Sequence, residues 1–287
     1  MQLVATEPLM TPSGLRPMAE EVMLALAKAC FASTRSLLAF GGPLGLTPDM
    51  LAAWVAAGLL HHGTVRIDPM AGTDVEYVAL TTKGARELAM RVTGPVAGVS
   101  TARLRRSSQK RSHDLAIGDV ALTVQALARE GHVELLGLET DEKKFATSVV
   151  LSEPGDAPKH VALQADLFLA VRGPYGPSGL LVEVDRGTVS VERMAERFKA
   201  YLAWRRIGGP ERDFAIKAMR VVTVVPDDHR LTKLMAAALD ANDNRPSGFL
   251  LFTRQDDVRC AEPERLMGPV ACRLGDVERA IPLFDPG

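Results

Sequence analysis

Between Thr93 and Ser112 the chain carries Arg103, Arg105, Arg106, Lys110 and Arg111 and not one acidic residue. A run of like charge introduced by Gly94, Pro95 and Gly98 has neither the apolar periodicity nor the charge balance of a segment that enters a core. It predicts a break in the chain. The expected organisation is α+β with two domains: 1–96, a basic linker over 97–113, and 114–287. With 287 residues, 47% of them hydrophobic, either half is long enough to bury a core of its own. The formal net charge is only −1, so any attraction to nucleic acid has to be local.

The first half reads as short helices followed by a hairpin. After a loose lead-in over 1–16, Met18, Val22, Leu26 and Ala29 recur at helical spacing behind Pro17, a residue suited to a first helical position. Ser33 caps a second short helix to Phe40, and Gly41-Gly42-Pro43 breaks it. Thr47-Pro48-Asp49 combines a hydroxyl cap, a first-turn proline and an acid near the positive helix end, so a third helix follows to about Gly58. Leu59–Ile67 and Val75–Leu80 read as strands around a turn at Asp68–Asp74, and Thr82–Arg91 closes the unit as a helix. Three helices, a hairpin and a last helix predict a winged helix-turn-helix. Its expected recognition helix, Pro48–Ala57, holds no Lys or Arg. Base edges are usually read by Arg, Lys, Asn or Gln. Phosphate contacts are therefore expected from Arg35, Arg66 and Lys83 and from the linker cations Arg103, Arg105, Arg106, Lys110 and Arg111. The other role open to such a unit is protein binding or homodimer formation.

The second half alternates helical and strand-like runs: a helix from Asp114 to about Glu130, strands at Val133–Leu138, Phe145–Leu151, Val161–Val171 and Gly179–Val184, a helix over Ser190–Trp204, a strand at Met219–Val225, a helical stretch from Pro226 to Leu239 and a strand at Phe249–Thr253. This order predicts an α/β sheet flanked by helices. Asp166 interrupts an apolar strand, and Glu183 and Asp185 end the next one, two residues apart and so on one face. The Gly/Pro-rich link from Gly173 to Gly179 predicts a hairpin that brings Asp166 near Glu183. Converging carboxylates are hard oxygen ligands, so Asp166 and Glu183 are the candidate ligands for Mg²⁺. With Asp185, and Lys199 on the following helix, they are the candidate catalytic set of a metal-dependent attack on phosphate. The opposite reading is that Arg186, Arg193 or Arg197 pairs with these acids and that they catalyse nothing. The residues compel no cofactor.

An acid in one strand followed by Glu-x-basic in the next resembles the PD-(D/E)xK nuclease pattern, a restriction-endonuclease-like fold. Asp185 stands where that pattern has lysine, and Ala165 where it often has proline. The whole layout resembles the replication-relaxation family of plasmids and conjugative elements. The resemblance is carried by Ala57-Gly58-Leu59-Leu60, Leu80-Thr81-Thr82-Lys83-Gly84, His113-Asp114-Leu115-Ala116, Ala165-Asp166, Glu183-Val184-Asp185-Arg186-Gly187-Thr188 and Lys199-Ala200-Tyr201. It implies an N-terminal winged helix, a divergent nuclease-like domain and a role in replication, DNA relaxation, mobilisation or its transcriptional control. DNA is the implied partner, alongside other replication, mobilisation or regulatory proteins.

Other chemistries are disfavoured. Cys30, Cys260 and Cys272 have neither the number nor the spacing of a disulfide framework or zinc site. His61-His62 reads as part of the hairpin, and His113-Asp114 as a helix start. There is no phosphate-cradling GxxxxGK[ST] loop. The first thirty residues lack the form of a signal peptide, and no uncharged apolar run is long enough for a membrane span, so a cytoplasmic protein is expected. Two function classes remain: a non-catalytic DNA-binding factor and a metal-dependent nuclease or nickase.

Overall fold

The structure, a computed structural model, describes residues 10–11, 14–15, 17–68, 73–92, 96, 98, 101–140, 146–151, 157–173 and 176–284. Most of the expected lead-in, the turn residues 69–72, the linker residues 93–95, Phe145 and the hairpin link at 174–175 lie outside this set. The chain is α+β and divides into two compact units, Met1–Ala126 and Leu127–Gly287.

The first unit opens with a two-strand pairing of β1 (Met10–Thr11) and β2 (Gly14–Leu15), then α1 (Pro17–Ala29), β3 (Ala32–Ser33), α2 (Thr34–Gly41), α3 (Pro48–Ala56), β4 (Leu60–Asp68), β5 (Thr73–Leu80) and α4 (Thr82–Ala89). Three of these helices start at hydroxyl caps, two of them, Ser33 and Thr47, as expected from the sequence. Ser33, Thr47 and Thr81 accept from the backbone N–H of Ser36, Met50 and Gly84, satisfying donors that a helix start leaves open. β5 is the centre of a small antiparallel sheet ordered β3-β5-β4. Trp54, Met23, Leu26, Leu37, Leu80 and Leu88 are buried in this unit.

The basic segment differs from expectation. Where a solvated linker was expected over 97–113, the described residues form α5 (Thr101–Leu104) and the start of α6 (Ser108–Arg129). The helix expected from Asp114 therefore begins a turn and a half earlier. Local contacts explain why. Arg106 pairs with Asp114 at 2.9 Å, Ser108 Oγ donates to the Arg66 carbonyl at 3.1 Å, and Leu104 and Leu115 pack with Phe31, Val65 and Tyr77. Residues of α6 up to Ala126 belong to the first unit, so the units divide within this helix and not in the basic segment. Asp119 accepts from the Ser33 backbone N–H at 2.9 Å, and Gln125 Nε2 donates to the Ala25 carbonyl at 3.2 Å.

The second unit holds β6 (Glu134–Glu139), β7 (Thr147–Leu151), β8 (Lys159–Leu163), β9 (Leu167–Gly173), β10 (Gly176–Val184), α7 (Val191–Arg206), α8 (Gly209–Phe214), β11 (Ala218–Val225), α9 (Asp228–Ala241), β12 (Ser247–Arg254), β13 (Ala271–Leu274) and β14 (Asp276–Ile281). Seven strands form one sheet in the order β14-β13-β12-β11-β10-β9-β6. Its central pairs β10–β11 and β11–β12 are parallel, and the outer pairs are antiparallel. The parallel strands are nearly continuous apolar runs, as strands buried on both faces must be. Phe198, Tyr201 and Trp204 of α7 and Leu234 and Ala238 of α9 pack in one core with Leu181, Val221 and Phe252 of the sheet. The strand expected over Val161–Val171 is in fact two strands in two sheets. β8 pairs with β7, β9 joins the main sheet, and Gln164-Ala165-Asp166 separates them. The tail after Arg254, unread in the sequence, supplies β13 and the edge strand β14.

Two features of α6 are open to test. A Cβ at Gly118 would lie 1.6 Å from the Phe31 carbonyl oxygen, so backbone contact leaves room only for hydrogen. Gly118→Ala is expected to destabilise the first unit by at least about 1–3 kcal/mol in urea unfolding, the usual range for overpacking, despite alanine's better helix propensity. Protein also crowds the Asp119 carboxyl, and that burial pushes its pKa up to about 6. A raised carboxyl favours the folded state below its unfolded pKa of 3.8, and this contribution is lost as pH rises through about 6. Relative to Asp119→Asn, the wild type should lose stability across that window, by an amount on the order of 2–3 kcal/mol.

Candidate functional site

The β9–β10 hairpin sets the site. Its antiparallel register pairs Leu167 with Val182, so Asp166 falls level with Glu183 just beyond the ladder. The Asp166 N–H donates to the Val182 carbonyl at 2.9 Å, and its Oδ2 accepts from the Val184 N–H at 2.7 Å. Asp166 thus closes the end of the hairpin, which explains why an acid interrupts an apolar run there. Leu181, Glu183 and Asp185 alternate onto the face covered by α7 and α9.

Glu183 is 1% exposed. A carboxylate so deeply buried needs charge and hydrogen bonds to replace water. Arg197 Nη1 donates to one of its oxygens, and Tyr201 OH donates to the other at 2.5 Å. Arg197 and Tyr201 are one turn apart on α7, the spacing that puts two side chains on one stripe. The Glu183 carboxylate in turn raises the Arg197 guanidinium pKa further. Burial, then the neighbouring Glu183, pushes the Tyr201 phenol well above its usual range, so it stays a donor.

Asp185, also buried, takes a fork from Arg230: Nε at 2.6 Å and Nη2 at 3.2 Å, with Nη2 also donating to the Val189 carbonyl at 2.6 Å. A third buried acid, Asp257, accepts from Arg254 at 2.8 Å and from Arg265 at 3.0 Å. Arg254 also reaches Asp228 at 3.5 Å. Arg186 is partly buried, which lowers its guanidinium pKa, and it donates to Gln255 Oε1 at 3.4 Å. The carboxyl-terminal ends of the central strands therefore carry a row of buried acids, each held by arginine from a helix or from the segment after β12.

Of the sequence candidates, the fold brings Asp166, Glu183 and Asp185 to one end of the sheet. It turns Glu183 toward α7 and Asp185 toward α9. Arg197 is the expected arginine partner of an acid. Lys199, half-buried, lies two residues from both Arg197 and Tyr201, on the opposite side of α7 from the pair that meets Glu183. Arg230 and Tyr201 were missed as partners. Arg230 did leave a sequence signal: an arginine in a first helical turn opposes the helix dipole, so a specific acid is needed to hold it there. The acids do not fit a magnesium cage as they stand. Among the described residues no group of three or more His, Cys, Asp and Glu side chains is arranged to hold a metal ion.

The cations of the first unit fall into two sets. Lys83 Nζ donates to the Ala57 carbonyl at 2.7 Å and so caps the end of α3. Arg66 pairs with Asp74 at 3.1 Å, Arg106 with Asp114, and Arg111 Nη1 donates to Tyr77 OH at 3.4 Å. Arg103 is half-buried in α5. Arg35, Arg105 and Lys110 are exposed, and their side chains meet no partner among the described residues. The outer face of α3 shows Asp49, Ala52, Ala53 and Ala56, and the helix holds no Arg, Lys, Asn or Gln, the side chains that most often read base edges.

The buried site predicts unequal costs. Glu183→Leu strands both Arg197 and the Tyr201 hydroxyl. It should cost about 3–5 kcal/mol by urea unfolding, toward the lower end because Arg197 remains 36% exposed. Glu183→Gln keeps an acceptor for the phenol and should cost less, about 1–3 kcal/mol. Equal losses in the two variants would show that the hydrogen bond from Tyr201 contributes nothing.

A family model described as replication-relaxation matches residues 30–216, well over half of the chain. No curated protein and no solved structure matches it.

Proposed function

We propose, from the premise that this chain belongs to the replication-relaxation family, that it is a non-catalytic DNA-binding protein acting in plasmid or mobile-element replication, DNA relaxation, mobilisation or its transcriptional control. In this reading the first unit is a winged helix and the second a restriction-endonuclease-like α/β domain. Asp166, Glu183 and Asp185 then serve a structural role. No helix among the described residues is long and apolar enough to cross a membrane.

The observation that carries the reading is the acid-free basic segment. It is folded as α5 and the first turns of α6 and tied to the β4–β5 hairpin through Ser108, Leu104 and Arg111. A basic arm already held in place loses little entropy when it meets a phosphate backbone, unlike a free linker. Arg35, Arg105 and Lys110 are the side chains left to make those contacts. With no Arg, Lys, Asn or Gln on α3 to read bases, affinity is expected to depend weakly on sequence. The non-catalytic half of the reading is supported by Arg197 and Arg230, which neutralise Glu183 and Asp185 where a nuclease would need them to face a cation.

The test is a gel shift with duplex plasmid fragments across a salt series, with and without Mg²⁺. Each phosphate contact adds about 0.9 to the log–log salt slope. Replacing Arg35, Arg105 and Lys110 with Ala should therefore flatten the slope by about 2–3. An unchanged slope would remove these residues from the interface. Mg²⁺-dependent nicking that disappears in Asp166→Asn would replace the non-catalytic reading with the nuclease one.

A further inference from the structure

At the opposite ends of the same central strands the second unit opens into a cleft of about 720 Å³. Pockets that take small organic ligands span roughly 300–1,000 Å³, so this one is of ligand size. It is formed where β9 ends and where β10, β11 and β12 begin. Its rim carries Arg172, Arg205, Lys217 and Arg220 against one acid, Glu211, while Val133, Pro177, Ala218 and Met267, none of them fully buried, contribute apolar wall. A chain of net charge −1 has no general surplus of cations to explain this.

The rim cations differ in how firmly the protein holds them. Arg172 pairs with Glu134 at 2.9 Å and Lys217 with Glu211 at 3.5 Å, both in exposed pairs that solvent screens. Arg205 lies 4.8 Å over the Phe249 ring and reaches Ser247 Oγ only at 3.5 Å. Arg220 is half-buried, and its side chain has no acid and no hydrogen-bond acceptor among the described residues. Removing a guanidinium from water without a partner is unfavourable. Four cations against the two acids that pair with Arg172 and Lys217 leave positive charge in excess around one opening, and an anion there would relieve both costs.

We infer that this cleft binds a nucleoside phosphate, with the phosphate at Arg220 and its flanking cations and the nucleoside against the apolar wall. The ligand is either a free nucleotide or a nucleotide of a single DNA strand; the phosphate and nucleoside chemistry is common to both. The inference does not rest on the first unit or on its duplex binding.

The full chain would be titrated by calorimetry with dTMP, with ATP, with inorganic phosphate and with a short oligothymidylate. Saturable binding of one of the nucleotides or of the oligonucleotide, weakened at least about tenfold in Arg220→Gln, is the expected result. Arg172→Gln with Lys217→Gln, two exposed changes, should weaken the same ligand without altering the thermal transition. Binding of dTMP or ATP identifies the free nucleotide as ligand, and binding of the oligonucleotide alone identifies the strand. Three results would overturn the proposal: no saturable binding, equal binding in Arg220→Gln and wild type, or phosphate binding as tightly as the nucleotides. Duplex gel shifts that depend on Arg35, Arg105 and Lys110 should be unaffected by Arg220→Gln, so failure here leaves the duplex reading intact and the reverse also holds.

Discussion

A charge removed from water must find another partner or disappear, and the second unit is organised around that demand. Glu183 and Asp185 sit on a strand whose neighbours on both sides are apolar and buried. Neither carboxylate can be solvated there, so each fixes an arginine from a different helix. Arg197 ties α7 to the sheet, and Arg230 ties the first turn of α9 to it. Replacing such pairs by apolar residues of similar shape is often neutral or stabilising overall. What the pairs add is register: α7 can meet Glu183 only through the stripe holding Arg197 and Tyr201. A slip of one residue along the helix would leave a buried acid without its donor.

The elements legible in the sequence were those announced by local chemistry. Ser33 and Thr47, read as caps, each accept from a backbone N–H in the first turn of the helix that follows. The hairpin from β9 to β10 was equally legible, because glycine and proline punctuate it. The misread elements were those decided by long-range contacts. Val161–Val171 looks like one strand, yet Asp166 bonds across the hairpin to Val184 and ends the ladder there. The basic segment looks like a linker by charge, yet Leu104 and Leu115 bury themselves beside Tyr77 and Arg106 finds Asp114. Strands β13 and β14 are short, and each gains order from its neighbour, β13 from β12 and β14 from β13, so their own sequence carries little signal.

The candidate site was half legible for a related reason. Residue type and strand alternation located Asp166, Glu183 and Asp185 at one sheet end. They could not say what the carboxylates face, because that depends on how α7 and α9 cross the sheet. Lys199 illustrates the gap. In sequence it stands between Arg197 and Tyr201, but two residues on a helix is about 200°, so neighbours on either side meet Glu183 while the lysine points away from it. The cations of the first unit divide likewise. Lys83 reads as a phosphate contact by charge alone, whereas its ammonium closes the end of α3 on the Ala57 carbonyl.

The two ends of the central strands have opposite chemistry. Acids with arginine partners close the ends where β10, β11 and β12 finish, and the cleft where these strands begin is rimmed by cations whose protein partners are few or exposed. Arg197, Arg230, Arg254 and Arg265 each donate to a buried carboxylate. The arginines around the cleft keep donors available, Arg220 most of all. An incoming anion at the acid end would have to displace a buried ion pair, leaving a carboxylate without its cation. At the cleft it would displace water and, at most, screened surface pairs. On energetic grounds alone, then, an anionic ligand of this unit belongs at the cleft, at the far ends of the strands from the acids that the nuclease resemblance singles out.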